Sequence, residues 1–267
     1  MTISFRSVLL LLVLLFAEAC AKVPITGRRQ MNLMGEGELM AMANGQYSEF
    51  LSANAPMPDS DPRVKLVEQV GERIAAAATR YLNENNAADR VKDFAWDFNV
   101  VDDPTVNAWC MPGGKVVFYT GILPITKDET GLAVVMGHEV AHAIARHGNE
   151  RMSQGLALQG AGMTLEVLAA QKPSVASDLF LQSFGIGSEL GMLAYSRKHE
   201  SEADKMGLVF MALAGYDPRE APRFWERMSA GSNGQAPPEL LSTHPSDATR
   251  MQDLEAFMPE ALKYYKP

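Results

Sequence analysis

Apolar residues recur at helical spacing along most of the chain, so the pattern predicts a mainly helical protein. Two helix starts carry recognisable signals. Asp61 before Pro62 gives a capping acid followed by proline, and Thr126 and Glu129 have the spacing of a capping box. The predicted helices cover residues 36–51, 62–83, about 127–152, 155–170, most of 175–215 with breaks near Gly185, Gly187 and Gly191, a stretch opened by Tyr216-Asp217-Pro218, and a last stretch from Ser246.

A different pattern precedes the third of these helices. Residues 94–101 alternate between aromatic and polar side chains, which is typical of a strand. Residues 105–111 and 115–120 predict two more strands, joined by the turn Pro112-Gly113-Gly114. The expected fold class is therefore mainly α with a small β-sheet (α+β). Three segments lack periodicity: an extended tether over 21–35, a loop over 52–61, and a Gly/Pro/Ser-rich loop over 230–242.

The amino-terminal residues 1–19 predict a signal peptide, because an apolar run too short to span a bilayer follows a positive start. Ala17 and Ala19 suit ordinary signal peptidase, whereas Cys20 suits lipoprotein processing. A disulfide between Cys20 and Cys110 is the alternative that an exported location permits. We favour a lipid on Cys20, a free Cys110, and a periplasmic location anchored to the outer membrane.

Composition adds one exclusion. The 267 residues carry a net charge of −8, and no basic cluster occurs beyond Arg28-Arg29, so nucleic acid is not expected as a partner.

The chemistry is concentrated in His138-Glu139-Val140-Ala141-His142. Two histidines four residues apart share one face of a helix, so both can donate a nitrogen to one tetrahedral zinc ion. Glu139 could take the proton of a water activated there. The alternative is an amphipathic helix with two incidental histidines. Three of the five histidines fall within residues 137–148 of an apolar helix, however, and buried paired histidines favour a metal.

A catalytic zinc site needs a third protein ligand. One class of site places a histidine six residues after the second, but Gly148 stands there, and His147 is expected to form hydrogen bonds near the helix end instead. The other common solution is a glutamate on a later helix. Glu200 and Asp204 share a helical face, so Glu200 could bind zinc while Asp204 orients a zinc-binding histidine. A solvated helix face is the alternative, and it suits Glu202, about 200° from Glu200.

These motifs, together with His244-Pro245 and Arg250, resemble the gluzincin family of zinc endopeptidases, which includes prenyl-protein proteases, HtpX and BepA-like proteins. The segment from Cys20 to Gln30 resembles the mature start of the bacterial periplasmic lipoprotein branch. The resemblance implies a zincin-like metalloprotease domain over residues 61–267, after a tether and first helix over 20–60, with one Zn²⁺ per chain. It implies zinc ligands His138, His142 and Glu200, the general base Glu139, and Asp204 and Arg250 beside the ligands. It also implies His244 as an oxyanion donor and Asn107 and Ala108 as binding positions for an extended peptide.

The predicted function is therefore hydrolysis of misfolded or misassembled envelope proteins, with a possible link to the envelope assembly machinery. We also hypothesise that His244 can move to the open zinc position and block it. A zinc-containing chaperone with such a latched site is the main alternative. A purely structural site with His244 as the fourth ligand is another, although it would not need Glu139.

Overall fold

The computed structural model describes residues 20–159, 164–186, 195–230, 239–244 and 248–266. Several predicted features lie outside these described residues. They are the signal peptide, the breaks at Gly187 and Gly191, most of the 230–242 loop, and the side chain of Cys20. The helices are α1 (Glu36–Ala53), α2 (Pro62–Glu84), α3 (Leu123–Thr126), α4 (Glu129–Ala145), α5 (His147–Gln159), α6 (Leu165–Gln171), α7 (Pro173–Ser183), α8 (Arg197–Leu213), α9 (Glu220–Ala230), α10 (Glu239–Thr243) and α11 (Ala248–Ala261). The predicted α+β class is confirmed. None of the helices in the described ranges combines the length and apolar content that crossing a bilayer requires.

The predicted sheet is present, with shorter strands: β3 (Asp97–Val101), β4 (Ala108–Met111) and β5 (Lys115–Tyr119). Its order is β3-β5-β4, with β3 parallel and β4 antiparallel to β5, so β4 lies at an edge. The β4–β5 turn uses Gly113 and Gly114 at φ of 82° and 80°, a conformation that glycine adopts without steric cost.

Both faces of this sheet are buried, which explains why its strands read as apolar runs. Alternate residues point to opposite faces. Val116 and Phe118 face a core formed with α2, α4 and α8, whereas Trp109 and Val117 face a second core formed with α1, α5 and α7. The sheet is therefore a middle layer, and its edge strand β4 packs on α4.

The segment predicted to be an extended tether is a folded hairpin. Strands β1 (Cys20–Lys22) and β2 (Arg29–Met31) pair antiparallel across a tight turn in which the Val23 amide donates to the Arg28 carbonyl at 2.8 Å. Val23 is buried in the first core. Exposing this side chain to water would cost hydrophobic free energy, so Val23 attaches the hairpin to the domain. The boundary between the predicted tether and first helix (20–60) and the predicted metalloprotease domain (61–267) stays a prediction.

The helix with the His-Glu-x-x-His motif begins later than the capping-box spacing predicts. Asp128 is its cap and accepts a hydrogen bond from the Gly131 amide at 2.9 Å, while Thr126 ends the preceding helix α3. Asp128 accomplishes this because its backbone is extended and its carboxylate lies above the exposed amides of the first turn.

That helix also ends earlier than predicted. Arg146 adopts left-handed φ and ψ of 61° and 35°, which closes α4 at Ala145, and α5 starts at the next residue. Non-glycine residues rarely adopt this conformation. The Arg146 amide donates to the Ala143 carbonyl at 3.0 Å, and the Arg146 side chain pairs with Glu36 at 3.1 Å. The single helix predicted over 127–152 is therefore wrong.

Candidate metal centre

The site lies where α4 crosses α8. Gly137 and Gly207 meet at the crossing, so the two backbones approach closely and bring the histidine face of α4 against the carboxylate face of α8. His138, His142, Glu200 and His244 form one buried cluster whose ligand atoms all lie within 4.8 Å of one another. All five histidines of the chain join this cluster or its immediate surroundings through ring contacts.

The geometry of this cluster fits a zinc ion. Nε2 of His138 and Nε2 of His142 lie 3.0 Å apart, and each lies 3.4 Å from a Glu200 carboxylate oxygen. A tetrahedral zinc ion with bonds of 2.0–2.1 Å separates its ligand atoms by roughly 3.3 Å, close to these distances. Two imidazoles and one carboxylate are also a donor set typical of catalytic zinc. The described residues therefore fit the predicted zinc cofactor.

His244, which follows α10, completes the cluster. Its Nδ1 lies 3.1 Å from Nε2 of His138 and 3.1 Å from Oε1 of Glu200. In the described arrangement, this nitrogen therefore takes the place of a fourth ligand.

Asp204 and Arg250 form a buried ion pair next to His138. Both residues were expected beside the ligands. Asp204 Oδ1 lies 2.9 Å from His138 Nδ1, so the carboxylate fixes the ring with Nε2 toward the cluster. Arg250 donates two hydrogen bonds to Asp204, at 2.7 and 2.8 Å, and stacks on Trp225 with its guanidinium carbon 3.6 Å from the ring centroid. Trp225 was not singled out in the sequence, because its role depends on packing between α9 and α11.

Burial and these contacts shift the pKa values of His138, His142 and Glu200, and the two histidines shift in opposite directions. Burial acts against the charged form of His138, but hydrogen bonds to Asp204 and Glu200 outweigh it and raise the pKa of His138 to about 9. Burial holds the pKa of His142 well below its usual range. Burial would raise the pKa of Glu200, but His244 and Arg250 keep it well below the ordinary value, so this carboxylate stays an anionic donor. Zinc binding at Nε2 of His138 would therefore replace a proton that the neighbouring carboxylates favour.

Glu139 is the predicted general base, and it lies beside the cluster. It is buried, and burial raises its pKa above the ordinary value. Its Oε1 atom makes no hydrogen bond with any described residue and lies 3.6 Å from Nε2 of His244. A buried carboxylate oxygen that accepts no hydrogen bond lowers the stability of the fold, unless a ligand or a water molecule donates one.

Cys110, on β4, is a buried free thiol, as favoured above. Burial and the nearby Glu139 carboxylate raise its pKa well above the ordinary value. The thiol therefore stays protonated and unreactive beside the site.

Asn107 and Ala108 lie at the start of the edge strand β4, and both are buried. The Ala108 amide donates to the side-chain oxygen of its neighbour Asn107 at 2.9 Å. The Leu240 amide of α10 donates to the Val106 carbonyl at 3.1 Å, so α10 covers the start of this edge.

The sequence did not predict a group of charged and polar side chains that contacts Nδ1 of His142, the nitrogen that faces away from Glu200. Glu202 was assigned to a solvated face, but it is buried and its Oε2 lies 3.0 Å from Nε2 of His147. That assignment is wrong, because the face of α8 opposite Glu200 packs against α5 and the hairpin rather than facing water. The expectation that His147 forms hydrogen bonds holds, and its Nδ1 lies 2.9 Å from Nδ1 of His142.

Comparison with known proteins agrees with the site. The sequence profile of peptidase family M48 matches residues 65–258. The mitochondrial metalloendopeptidase OMA1 of Schizosaccharomyces pombe is 38% identical over 245 residues, which are 90% of this chain and 66% of that protein. Human OMA1 is 32% identical over 248 residues, 90% of this chain and 46% of that protein. The β-barrel assembly-enhancing protease of Escherichia coli is 26% identical over 242 residues, 89% of this chain and 47% of that protein. The chain thus spans about two thirds, or less, of these relatives.

The comparisons contradict the predicted location. The relatives at 38% and 32% identity are mitochondrial, whereas the bacterial relative is only 26% identical. The prediction of a periplasmic lipoprotein on the outer membrane is therefore wrong. It depended on the predicted signal peptide and on the resemblance of residues 20–30 to the start of bacterial lipoproteins. Lipid attachment to Cys20 and the assignment to the bacterial lipoprotein branch stay predictions.

The profile match covers well over half of the chain and includes every predicted residue from Asn107 to Arg250. The structure brings seven of these residues together: His138, Glu139, His142, Glu200, Asp204, His244 and Arg250. Asn107 and Ala108 lie at the edge of the sheet, and the individual roles of all nine stay predictions. The predicted class, a zinc metalloendopeptidase, is confirmed. The chain belongs to peptidase family M48.

Proposed function

We propose that this protein cleaves internal peptide bonds in unfolded or misassembled proteins, with Glu139 as the general base. The observation that carries the proposal is the buried Oε1 atom of Glu139, which has no hydrogen-bond partner in the described part of the chain and lies beside a two-histidine, one-carboxylate donor set. A structural zinc site would have no use for such a carboxylate.

The residues divide the chemistry among them. Zinc bound by His138, His142 and Glu200 would act as a Lewis acid toward the scissile carbonyl and the attacking water. Glu139 takes the proton from that water and passes it to the leaving amine. Burial raises its pKa above the ordinary value, which favours acceptance of a proton by this carboxylate. His244, once it has moved from its present position, would donate to the oxyanion of the substrate.

The substrate is an extended segment, because the binding surface is a strand edge. A peptide would pair with β4 at Asn107 and Ala108 after displacing the Asn107 side chain from the Ala108 amide. Folded proteins rarely offer an unpaired strand that can pair in this way, so unfolded or misassembled chains are the expected substrates. A link to assembly machinery is part of the proposal, motivated by the name of the Escherichia coli relative.

A second candidate is a zinc-binding protein or chaperone whose site is held shut. Two contacts favour it: the Nδ1 atom of His244 lies among the ligands, and α10 lies against the edge strand. Both contacts block the positions that a water and a peptide would need.

Endopeptidase activity on a denatured protein, such as reduced and unfolded casein, tests the proposal. The zinc-loaded protein should release internal fragments, a chelator should stop the reaction, and added zinc should restore it. Release of single terminal residues, or no cleavage by protein shown to hold one zinc, would contradict the proposal, and absence of cleavage would favour the second candidate.

A further inference from the structure

We infer that Arg28 of the N-terminal hairpin is a positioning residue of the metal centre, which it reaches through Glu202 and His147. The inference deepens the proposed function, because it depends on zinc being held by His142. It concerns a part of the chain that lies outside the family match at residues 65–258.

The contacts form a continuous path from the hairpin to a ligand. The Nε atom of Arg28 donates to Glu202 Oε2 at 2.7 Å, and the same carboxylate oxygen lies 3.0 Å from Nε2 of His147. The Nδ1 atom of His147 then lies 2.9 Å from Nδ1 of His142. Thr26, in the turn of the hairpin, also donates to Glu202. The two histidines are buried, and so is Glu202.

The order of donors along this path determines which nitrogen of His142 is free. A carboxylate only accepts, so Glu202 requires the hydrogen of His147 to be on Nε2. The Nδ1 atom of His147 is then an acceptor, and it requires the hydrogen of His142 to be on Nδ1. The lone pair of His142 is consequently on Nε2, which faces Glu200 and the metal position. Asp204 does the same for His138 in a single step.

Arginine is required because it must hold two carboxylates at fixed positions. While Nε binds Glu202, the two terminal nitrogens of Arg28 donate to the two oxygens of Glu150 at 2.9 and 2.7 Å. Glu150 in turn lies 3.1 Å from Nε2 of His199, the residue before the ligand Glu200. A lysine could neutralise one of these carboxylates but could not form this fork.

The hairpin is fixed well enough for Arg28 to act as a support. Arg90 donates to the Lys22 carbonyl of the hairpin and to the Ile144 carbonyl in the last turn of α4. Val23 is buried in the core beneath it. The hairpin is thus attached to the C-terminal end of the helix that provides both histidines.

Zinc release to a chromogenic chelator, measured on the full-length protein, tests the inference without use of the peptidase activity. Arg28→Met should release zinc about tenfold faster than wild type, and the cobalt-substituted protein should show a shifted visible spectrum, because the ring of His142 is no longer fixed. Arg29→Met is the matched control, since Arg29 is exposed on the same hairpin, and it should behave as wild type.

A double-mutant cycle shows whether Arg28 acts through His147. If it does, adding Arg28→Met to His147→Gln should change zinc release little further, since the path is already broken. A lower melting temperature with unchanged zinc release and cobalt spectrum, or fully additive effects, would overturn the inference and leave Arg28 a structural residue. If Arg28→Met does not fold, the same measurement on Arg28→Lys decides. Wild-type protein that binds no zinc would instead overturn the metal site itself.

Discussion

Gly137 and Gly207 face each other, backbone to backbone, where α4 crosses α8. A methyl group added at Gly207 would lie 3.1 Å from the carbonyl carbon of Gly137, which is closer than carbon atoms normally pack. This contact sets the distance between the two ligand-bearing helices, and therefore the distance between the histidines and Glu200.

Gly207→Ala should therefore separate the helices by a few tenths of an ångström. We expect an unfolding free energy lower by about 1–3 kcal/mol and weaker zinc binding, because overpacking at a rigid crossing moves the ligands apart. Differential scanning calorimetry and a chelator titration measure the two effects. Gly45→Ala is the control: Gly45 lies on α1 with open space around it, and the change should stabilise the protein by about 0.5–1 kcal/mol. Equal effects of both substitutions would contradict the account.

Asp204→Asn should weaken zinc binding about 10–100-fold, because the amide holds the His138 ring less firmly. It also leaves Arg250 with a neutral partner in a buried position, which should lower the melting temperature. Asp253→Asn is the control, since Asp253 accepts a hydrogen bond from Ser201 on α8, away from the ligands. Zinc affinity unchanged in Asp204→Asn would show that this carboxylate does not orient His138.

His244→Ala tests the latch. If His244 closes the site most of the time and contributes little to stabilising the oxyanion, its removal should increase casein hydrolysis by up to about tenfold, as expected when the open form is roughly 10% populated. Unchanged or lower activity, with zinc still bound, would count against the latch. A loss of about 100-fold would instead support the oxyanion role.

Glu150 should make the stability of the folded protein depend on pH in the acidic range. Burial would raise its pKa, but hydrogen bonds from His199 and Arg28 lower the pKa of Glu150 to about 2. Because the folded pKa lies below the ordinary value of 4.5, the stabilisation is present above that value and is lost as the pH falls toward 2. The melting temperature of metal-free wild type should exceed that of Glu150→Gln at about pH 6, and the gap should shrink by about pH 3. A gap that stays constant over this range would show that Glu150 does not carry the effect.

The members of the cluster could be predicted from sequence because each part of it is local. His138 and His142 share a face through their spacing alone, and so do Glu200 and Asp204. The start of α2 at Pro62 could be predicted for the same reason, since Asp61 caps the first turn from within the turn itself.

What could not be predicted depends on contacts between distant segments. The break after Ala145 needs Arg146 in a left-handed conformation, which its residue type does not signal and which Glu36 supports from another helix. The burial of Glu202 depends on a hairpin some 170 residues earlier in the chain, as the bond from Arg28 shows. A charge pattern on one helix cannot indicate such a neighbour.

The role of Glu139 is best tested by comparing wild type with Glu139→Gln on unfolded casein, with one zinc per chain shown for both proteins. Glutamine keeps the shape of the side chain but cannot accept a proton from water, so the account predicts cleavage by wild type and a loss of at least about 100-fold in the variant. Equal cleavage by the two zinc-loaded proteins would contradict the assignment of Glu139 as the general base.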